Sequence, residues 1–202
     1  MGLYAKYFLP WFLNREMGSP DLAKIRKKVV DKARGVVLEI GFGSGLNTAF
    51  YTDIDRLYAL EPSAELFRYF KDRQHDTPFP VEWIATGAEN IPLPDESIDS
   101  VVSTWTLCSV SDLQKVLAEI RRVLKPDGNF FFVEHGLSPK PLNSAVQKAV
   151  TPITKNFTGN CHLDRKIDEA ILNAGFTFKF LEKTPEDGRP LLFAYRGVAT
   201  KV

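Results

Sequence analysis

The chain is short of cysteine, of charge imbalance and of long apolar runs. Its two cysteines, Cys108 and Cys161, lie far apart and outside any paired motif. That excludes a disulfide scaffold and a zinc knuckle. Lys and Arg are spread along the chain and the formal charge is only +1. A nucleic-acid groove needs a concentrated basic stripe, so no nucleic-acid partner is expected. No apolar run reaches membrane-spanning length,. With no evident secretory signal, the expected compartment is the cytoplasm, with a peripheral position at the inner membrane left open. Repeats and low-complexity segments are missing too. The 202 residues, 44% of them hydrophobic, predict one sizeable core and one compact domain with N-terminal elaboration,.

The most informative stretch is Val36–Gly45. An apolar run ends in Glu39, and Gly41, Gly43 and Gly45 follow at alternate positions. A buried parallel strand with a tight turn into a helix explains this pattern. Glycine permits positive φ and lets a ligand approach the backbone closely. Open α/β sheets bind ligands outside the carboxyl ends of such strands. A short helix over 46–51 is expected next, its N-terminus offering free N–H groups to the ligand. The following strand, Leu57–Leu60, ends at Glu61, where a carboxylate can accept hydrogen bonds from both hydroxyls of a ribose.

Upstream, residues 3–13 are strongly aromatic, and Tyr4, Phe8, Trp11 and Phe12 share a helical face by spacing,. Pro10 is expected to kink or interrupt that helix. The segment reads as a lid over a pocket, an element packed on the core, or a shallow membrane anchor. Ser19-Pro20-Asp21 signals the next helix start. Residues 1–34 thus form N-terminal lid or membrane-surface helices before a domain over 35–202. Downstream, strands are expected at 81–85, 98–103 and 129–133. Ser111 to Gln114 matches a capping box, and 125–128 reads as a turn. Helices are expected around 143–150 and 165–173. An antiparallel pair, 176–181 and 191–195, closes around 186–188. The sum is an α/β fold, a doubly wound, mostly parallel sheet with an antiparallel edge.

The NAD fingerprint G-x-G-x-x-G is not matched by the spacing here, and no Gly-Lys-Ser/Thr follows to make a P-loop,. Glu39 to Gly45, Glu61-Pro62-Ser63, Ala88 to Pro94 and Arg122 to Gly128 resemble class I S-adenosylmethionine (SAM)-dependent methyltransferases. The resemblance implies a Rossmann-like methyltransferase fold of seven strands in the order 3-2-1-4-5-7-6. It implies SAM as cofactor, with S-adenosylhomocysteine as product. Its cofactor-binding positions are Glu39, Gly41, Gly43, Gly45, Asn47, Glu61, Pro62, Ala88, Glu89, Thr104 and Thr106. Gly87 stands where many relatives carry an acidic residue that contacts the adenine amine.

A narrower resemblance runs through Tyr7 and Pro10, Thr106 to Val110, Glu134-His135-Gly136, Gln147 with Thr151-Pro152, and Gly159 to Leu163. These look like the METTL7-like branch, membrane-associated enzymes that methylate small thiols. The implied acceptor is a small hydrophobic thiol, with phosphatidylethanolamine or a quinone-like lipid as alternatives. A non-catalytic cofactor-binding interaction module is the rival of a different class. His135 is the expected base, since imidazole titrates near neutrality, and Glu134 its partner or a substrate contact. Tyr7, Trp11, Trp105, Cys108, Cys161 and His162 are expected at the substrate, under a cap formed by about 136–162. The two cysteines with His162 could line a soft pocket, or join His135 in a weak metal site. Without tight ligand spacing, no metal is expected. A monomer is expected, with a dimer as the alternative.

Overall fold

The computed structural model describes Tyr4 and residues 8–74, 77–186 and 189–202. Seven strands form a single sheet: β1 Arg34–Ile40, β2 Asp53–Leu60, β3 Val81–Ile84, β4 Ile98–Thr104, β5 Leu124–His135, β6 Phe176–Glu186 and β7 Arg189–Lys201. Their order is β3-β2-β1-β4-β5-β7-β6, as expected. Strands β1 to β5 pair in parallel, and β7 runs antiparallel to both β5 and β6.

Alternating side chains divide the core between the two faces. Leu38, Ile40, Val101, Phe130 and Phe132 pack with helices α4 Leu113–Val123 and α6 Ile167–Asn173. Val37, Val102, Phe131 and Val133 pack on the other face with α2 Pro20–Val30 and α3 Ala64–Lys71. Helix α1 Leu9–Met17 lies against α3, and α5 Pro141–Thr154 against β7. All parallel strands therefore aim their carboxyl ends at one edge, where the glycine turn sits. The β5–β7–β6 end brings Glu186 to the same edge.

Local chemistry revises several boundaries. Pro10 falls in the first turn of α1, where its missing N–H costs nothing,, so it starts that helix and does not kink it. Ser19 sits at the N-cap of α2 but contributes its backbone carbonyl, with no side-chain cap. The helix expected over 46–51 shrinks to one 3₁₀ turn, Thr48–Phe50. Tyr51 turns extended to place its hydroxyl on Glu39 (2.6 Å) and its ring edge-on to Phe79. Helix α4 is capped by Asp112, whose carboxylate accepts from Lys115 N, and not by Ser111; the backbone N–H groups of both residues donate to Glu89. Residues 125–128 bulge within β5, whose register jumps from Leu124 to Asn129. Helix α5 outruns the expected 143–150 at both ends. The expected turn residues Asp187 and Gly188, and Tyr7, lie outside the described residues.

Gly45 has φ +75°, and a Cβ there would meet the buried ring of Phe70 at 2.5 Å. We expect Gly45→Ala to destabilise the fold by about 2–4 kcal/mol, from left-handed strain plus overpacking. Urea unfolding measures it, and an unchanged midpoint would contradict the packing described.

Candidate active site

A cavity of about 830 Å³ opens along the carboxyl edge of the sheet. The turn after β1 forms its floor. Gly41 has φ +67°, and any Cβ there would collide with the Thr106 hydroxyl. Side chains are excluded where that backbone comes closest to the 104–106 turn.

Two buried carboxylates flank this turn. Glu61 accepts from Gly43 N (2.8 Å) through one oxygen and from Ser63 N (2.8 Å) through the other. Each oxygen retains capacity for a second donor, and Glu61 with Pro62 lines the cavity. Burial raises its pKa, against the two backbone donors. Glu39 is fully buried from its neighbours' solvent and holds Asn47 Nδ2 (2.9 Å) and the Tyr51 hydroxyl. Desolvation outweighs those bonds and lifts its pKa to about 7.

Arg26, which sequence reasoning missed, completes the network. It reaches from α2 to Asn47 Oδ1 (3.1 Å), Thr104 Oγ1 (3.0 Å) and the Met17 carbonyl (3.3 Å). Its guanidinium lies 4.7 Å from the Trp105 ring centroid, a cation–π distance. Burial depresses its pKa to about 10, and its Nε has no hydrogen-bond partner among the described residues. Glu39, Arg26 and Thr104 border the cavity, with Asn47 behind them. This zwitterionic corner suits the amino and carboxylate groups of an amino-acid tail. Gly45 likewise stands behind the wall, against Phe70.

The opposite wall carries Gly87, Ala88 and Glu89. One Glu89 oxygen accepts from Ser111 N, and the other lies 2.8 Å from where a Cβ on Gly87 would stand. The carboxylate of Glu89 thus occupies the space that a side chain two residues earlier, at position 87, would enter. A ribose carboxylate, a glycine floor, a zwitterionic corner and an acid near the base position fit the parts of SAM.

Past Thr104 the chain turns sharply. Trp105 has φ +54°, unusual outside glycine,, and its N–H donates to Val133 O (2.7 Å). Glu134 holds this turn from behind. It accepts from Ser103 Oγ (2.7 Å), Thr106 N (3.1 Å) and Cys108 N (3.2 Å), and no part of it reaches solvent or the cavity. The expectation that Glu134 touches substrate is therefore corrected: it positions the turn. Trp105, Thr106, Cys108, His135 and Cys161 do line the cavity together. His162 does not; its ring turns to Asn160 and Asp164. Trp11 is also off the cavity, 46% exposed, while its neighbours Phe12 and Leu13 line it.

His135 is the centre of the acceptor end. Its Nδ1 faces Cys161 Sγ at 3.5 Å and its Nε2 meets a Glu186 oxygen at 3.0 Å. The ligand atoms of Cys108, His135 and Cys161 all lie within 4.8 Å of one another. Burial disfavours the charged imidazole, but its hydrogen bonds to Cys108 and Glu186 more than offset this, so its pKa is raised. Burial also lifts the Cys108 thiol, after its hydrogen bond to Cys161. The Glu186 carboxylate at Nε2 thus favours the charged imidazole, which makes His135 a candidate cation beside its expected role as base. Glu186 was missed because nothing in the sequence links it to a histidine 51 residues away.

Comparisons with known proteins identify the family and the fold. A family model described as "Methyltransferase domain" matches residues 38–132. Human thiol S-methyltransferase TMT1B is 32% identical over 85% of this chain and 73% of its own length. The rat TMT1B is 35% identical over 74% of this chain, which spans only 63% of the rat protein. A demethylmenaquinone methyltransferase of Thermotoga maritima is 28% identical over 92% of this chain and 87% of its own. Among solved structures, a geranyl diphosphate methyltransferase in complex with SAM superposes with a TM-score of 0.72 at 14% identity, over all of this chain and 92% of that one.

The raised pKa of Glu39 has a stability consequence. The folded chain binds this proton more tightly than the unfolded chain, whose Glu titrates near 4.5. Its contribution is full below pH 4.5 and is lost as pH rises through about 7,. We expect Glu39→Gln to remove a decline on the order of 3 kcal/mol between pH 4.5 and 8. Urea midpoints of both proteins across that range measure it; parallel curves would contradict a buried, desolvated Glu39.

Proposed function

The chain belongs to the SAM-dependent methyltransferase family, in the branch that includes the TMT1 thiol S-methyltransferases, and we propose that it methylates the sulfur of a small hydrophobic thiol. The observation that carries this reading is the acceptor end of the cavity, where Cys108, Cys161 and His135 meet beside Trp105, Leu163 and Leu192. This surface is soft and apolar, with one group that favours positive charge. The printed names of the human and rat relatives support the same acceptor.

SAM supplies an electrophilic methyl group on a sulfonium and leaves as S-adenosylhomocysteine. Glu61 binds the ribose hydroxyls, and Gly41 and Gly43 let the backbone approach. Glu39, Thr104 and Arg26 hold the amino-acid end, with Asn47 orienting them from behind, and Ala88 with Glu89 hold the base. Trp105 and Thr106 separate this half of the cavity from the acceptor. A thiol is a poor nucleophile until ionised. A positive charge held at His135 by Glu186 favours the thiolate over the thiol. Apolar walls exclude water and align the sulfur, which is where positioning lowers the barrier.

Helix α1 forms a lid at the mouth, with Phe12, Leu13, Glu16 and Met17 on its cavity side. Phe8 (48%), at its N-cap, and Trp11 are exposed on the outer side; Phe8 stacks on Tyr4, whose hydroxyl bonds Phe157 O, and lies tilted against Trp11. Phe157 is itself 61% exposed. This aromatic face rests on a lipid surface and lets hydrophobic acceptors enter from the bilayer. No helix among the described residues is long and apolar enough to cross a membrane. A second reading is methylation of a quinone-like lipid, favoured by the Thermotoga relative.

Incubating the protein with labelled SAM and matched alkyl thiol, quinol, amine and phosphatidylethanolamine tests the acceptor. We expect a methyl thioether as the main product; quinol or lipid methylation without thiol turnover would overturn the reading. Cofactor binding with no turnover of any acceptor would favour a binding module. The lid proposal predicts that Phe8→Ser with Trp11→Ala lowers co-sedimentation with phosphatidylglycerol-containing vesicles several-fold, while turnover of a water-soluble thiol persists. Unchanged sedimentation would remove the lipid contact.

A further inference from the structure

We propose that Cys108, His135 and Cys161 bind a soft divalent transition-metal ion of the zinc type, with an open fourth position facing the cavity. The three ligand atoms lie within 4.8 Å of one another, and Cys161 Sγ and His135 Nδ1 are 3.5 Å apart. Bond lengths of about 2.3 Å to sulfur and about 2.0 Å to nitrogen give tetrahedral edges of roughly 3.6 Å (S···N) and 3.8 Å (S···S). The apo spacing already approaches that figure. Two sulfurs with one imidazole and a vacant position is also the donor set of a catalytic zinc site, where structural sites would close with a fourth ligand.

Three further features fit a metal. Metal-bound histidines usually give their second nitrogen to a carboxylate, and His135 Nε2 lies 3.0 Å from Glu186. The ligands are also held in place. Cys108 N donates to the buried Glu134, and His162 N donates to Cys108 O (2.8 Å), tying the Cys161 segment to the 106–108 turn. Arg165 braces the same turn through Leu107 O and Val110 O, close enough to offset part of the charge of two thiolates. Finally, the ligands come from the turn after β4, the end of β5 and the segment after α5. This explains why no tight spacing marks them in the sequence.

The role that follows rests on the thiol reading. The acceptor sulfur takes the fourth position, a metal–sulfur bond forms, and the thiol proton passes to solvent. No electron is transferred and no oxidant is needed. Metal loading releases the protons of the two cysteine thiols and of the imidazole. The ion then supplies the positive charge that the protonated imidazole holds in its absence. The methyl thioether product is neutral and a weak ligand, so it departs readily.

The test uses Co²⁺ as a spectroscopic probe on the reduced protein. We expect one Co²⁺ per chain, thiolate-to-cobalt charge-transfer bands and the intense visible bands of a tetrahedral site, displaced by Zn²⁺. Cys161→Ser should abolish the charge-transfer bands from that ligand, and Glu186→Gln should weaken binding 10- to 100-fold. S-adenosylhomocysteine binding checks that each variant is folded. A folded, reduced protein that binds no Co²⁺, or gives only weak octahedral bands unchanged in Cys161→Ser, overturns the site. Adding an alkyl thiol separates the two readings. A changed spectrum supports both, whereas a tetrahedral spectrum that no thiol perturbs leaves the metal and removes the acceptor. Thiol turnover unaffected by a chelator in a protein without Co²⁺ bands does the reverse.

Discussion

A carboxylate sealed inside a protein must be surrounded by donors, and Glu134 meets this demand by seizing the chain just past β4. Its bonds to Ser103, Thr106 and Cys108 force the turn in which Trp105 adopts a positive φ. That turn places Thr106 against Gly41, Trp105 over Arg26, and Cys108 beside His135. The cofactor half and the acceptor half of the cavity share this one hinge of geometry. Strain at Trp105 persists because the surroundings over-determine it.

The rest of the site is a sequence of similar compromises between burial and charge. Glu61 is satisfied by backbone N–H groups yet keeps lone pairs toward the cavity. Glu39 is buried with Arg26 close by, and desolvation moves both pKa values toward the neutral forms. A ligand with its own amino and carboxylate groups would complete what these two side chains leave unfinished. At the acceptor end, the imidazole of His135 stands between a carboxylate and two sulfurs. That arrangement favours positive charge where a sulfur nucleophile must lose its proton.

The legible part of this molecule was the part encoded locally. Continuous apolar strands, the three glycines and the strand-end Glu61 each need only a few neighbouring residues, and the sheet order follows from the family they resemble. Contacts made across the fold were not legible. Arg26 looks like one more surface cation on a helix, until Asn47 and Thr104 are folded against it. Glu186 reaches His135 only because β7 inserts between β5 and β6. Glu134 and His135 are adjacent in sequence, but strand alternation sends one behind the wall and the other into the cavity. The 3₁₀ turn at Thr48–Phe50 is a further case, since Tyr51 leaves the helix for a partner twelve residues earlier.

The central claim of the proposed function is that the cavity itself ionises a thiol acceptor. A series of alkyl and aryl thiols of matched size but graded acidity, assayed at pH 7, tests this most directly. If charge at the His135 cluster sets the thiolate fraction, kcat/KM should depend only weakly on the solution pKa of the thiol. A steep dependence that tracks the thiolate fraction in bulk water would show that the protein merely captures thiolates formed elsewhere, and would contradict the account.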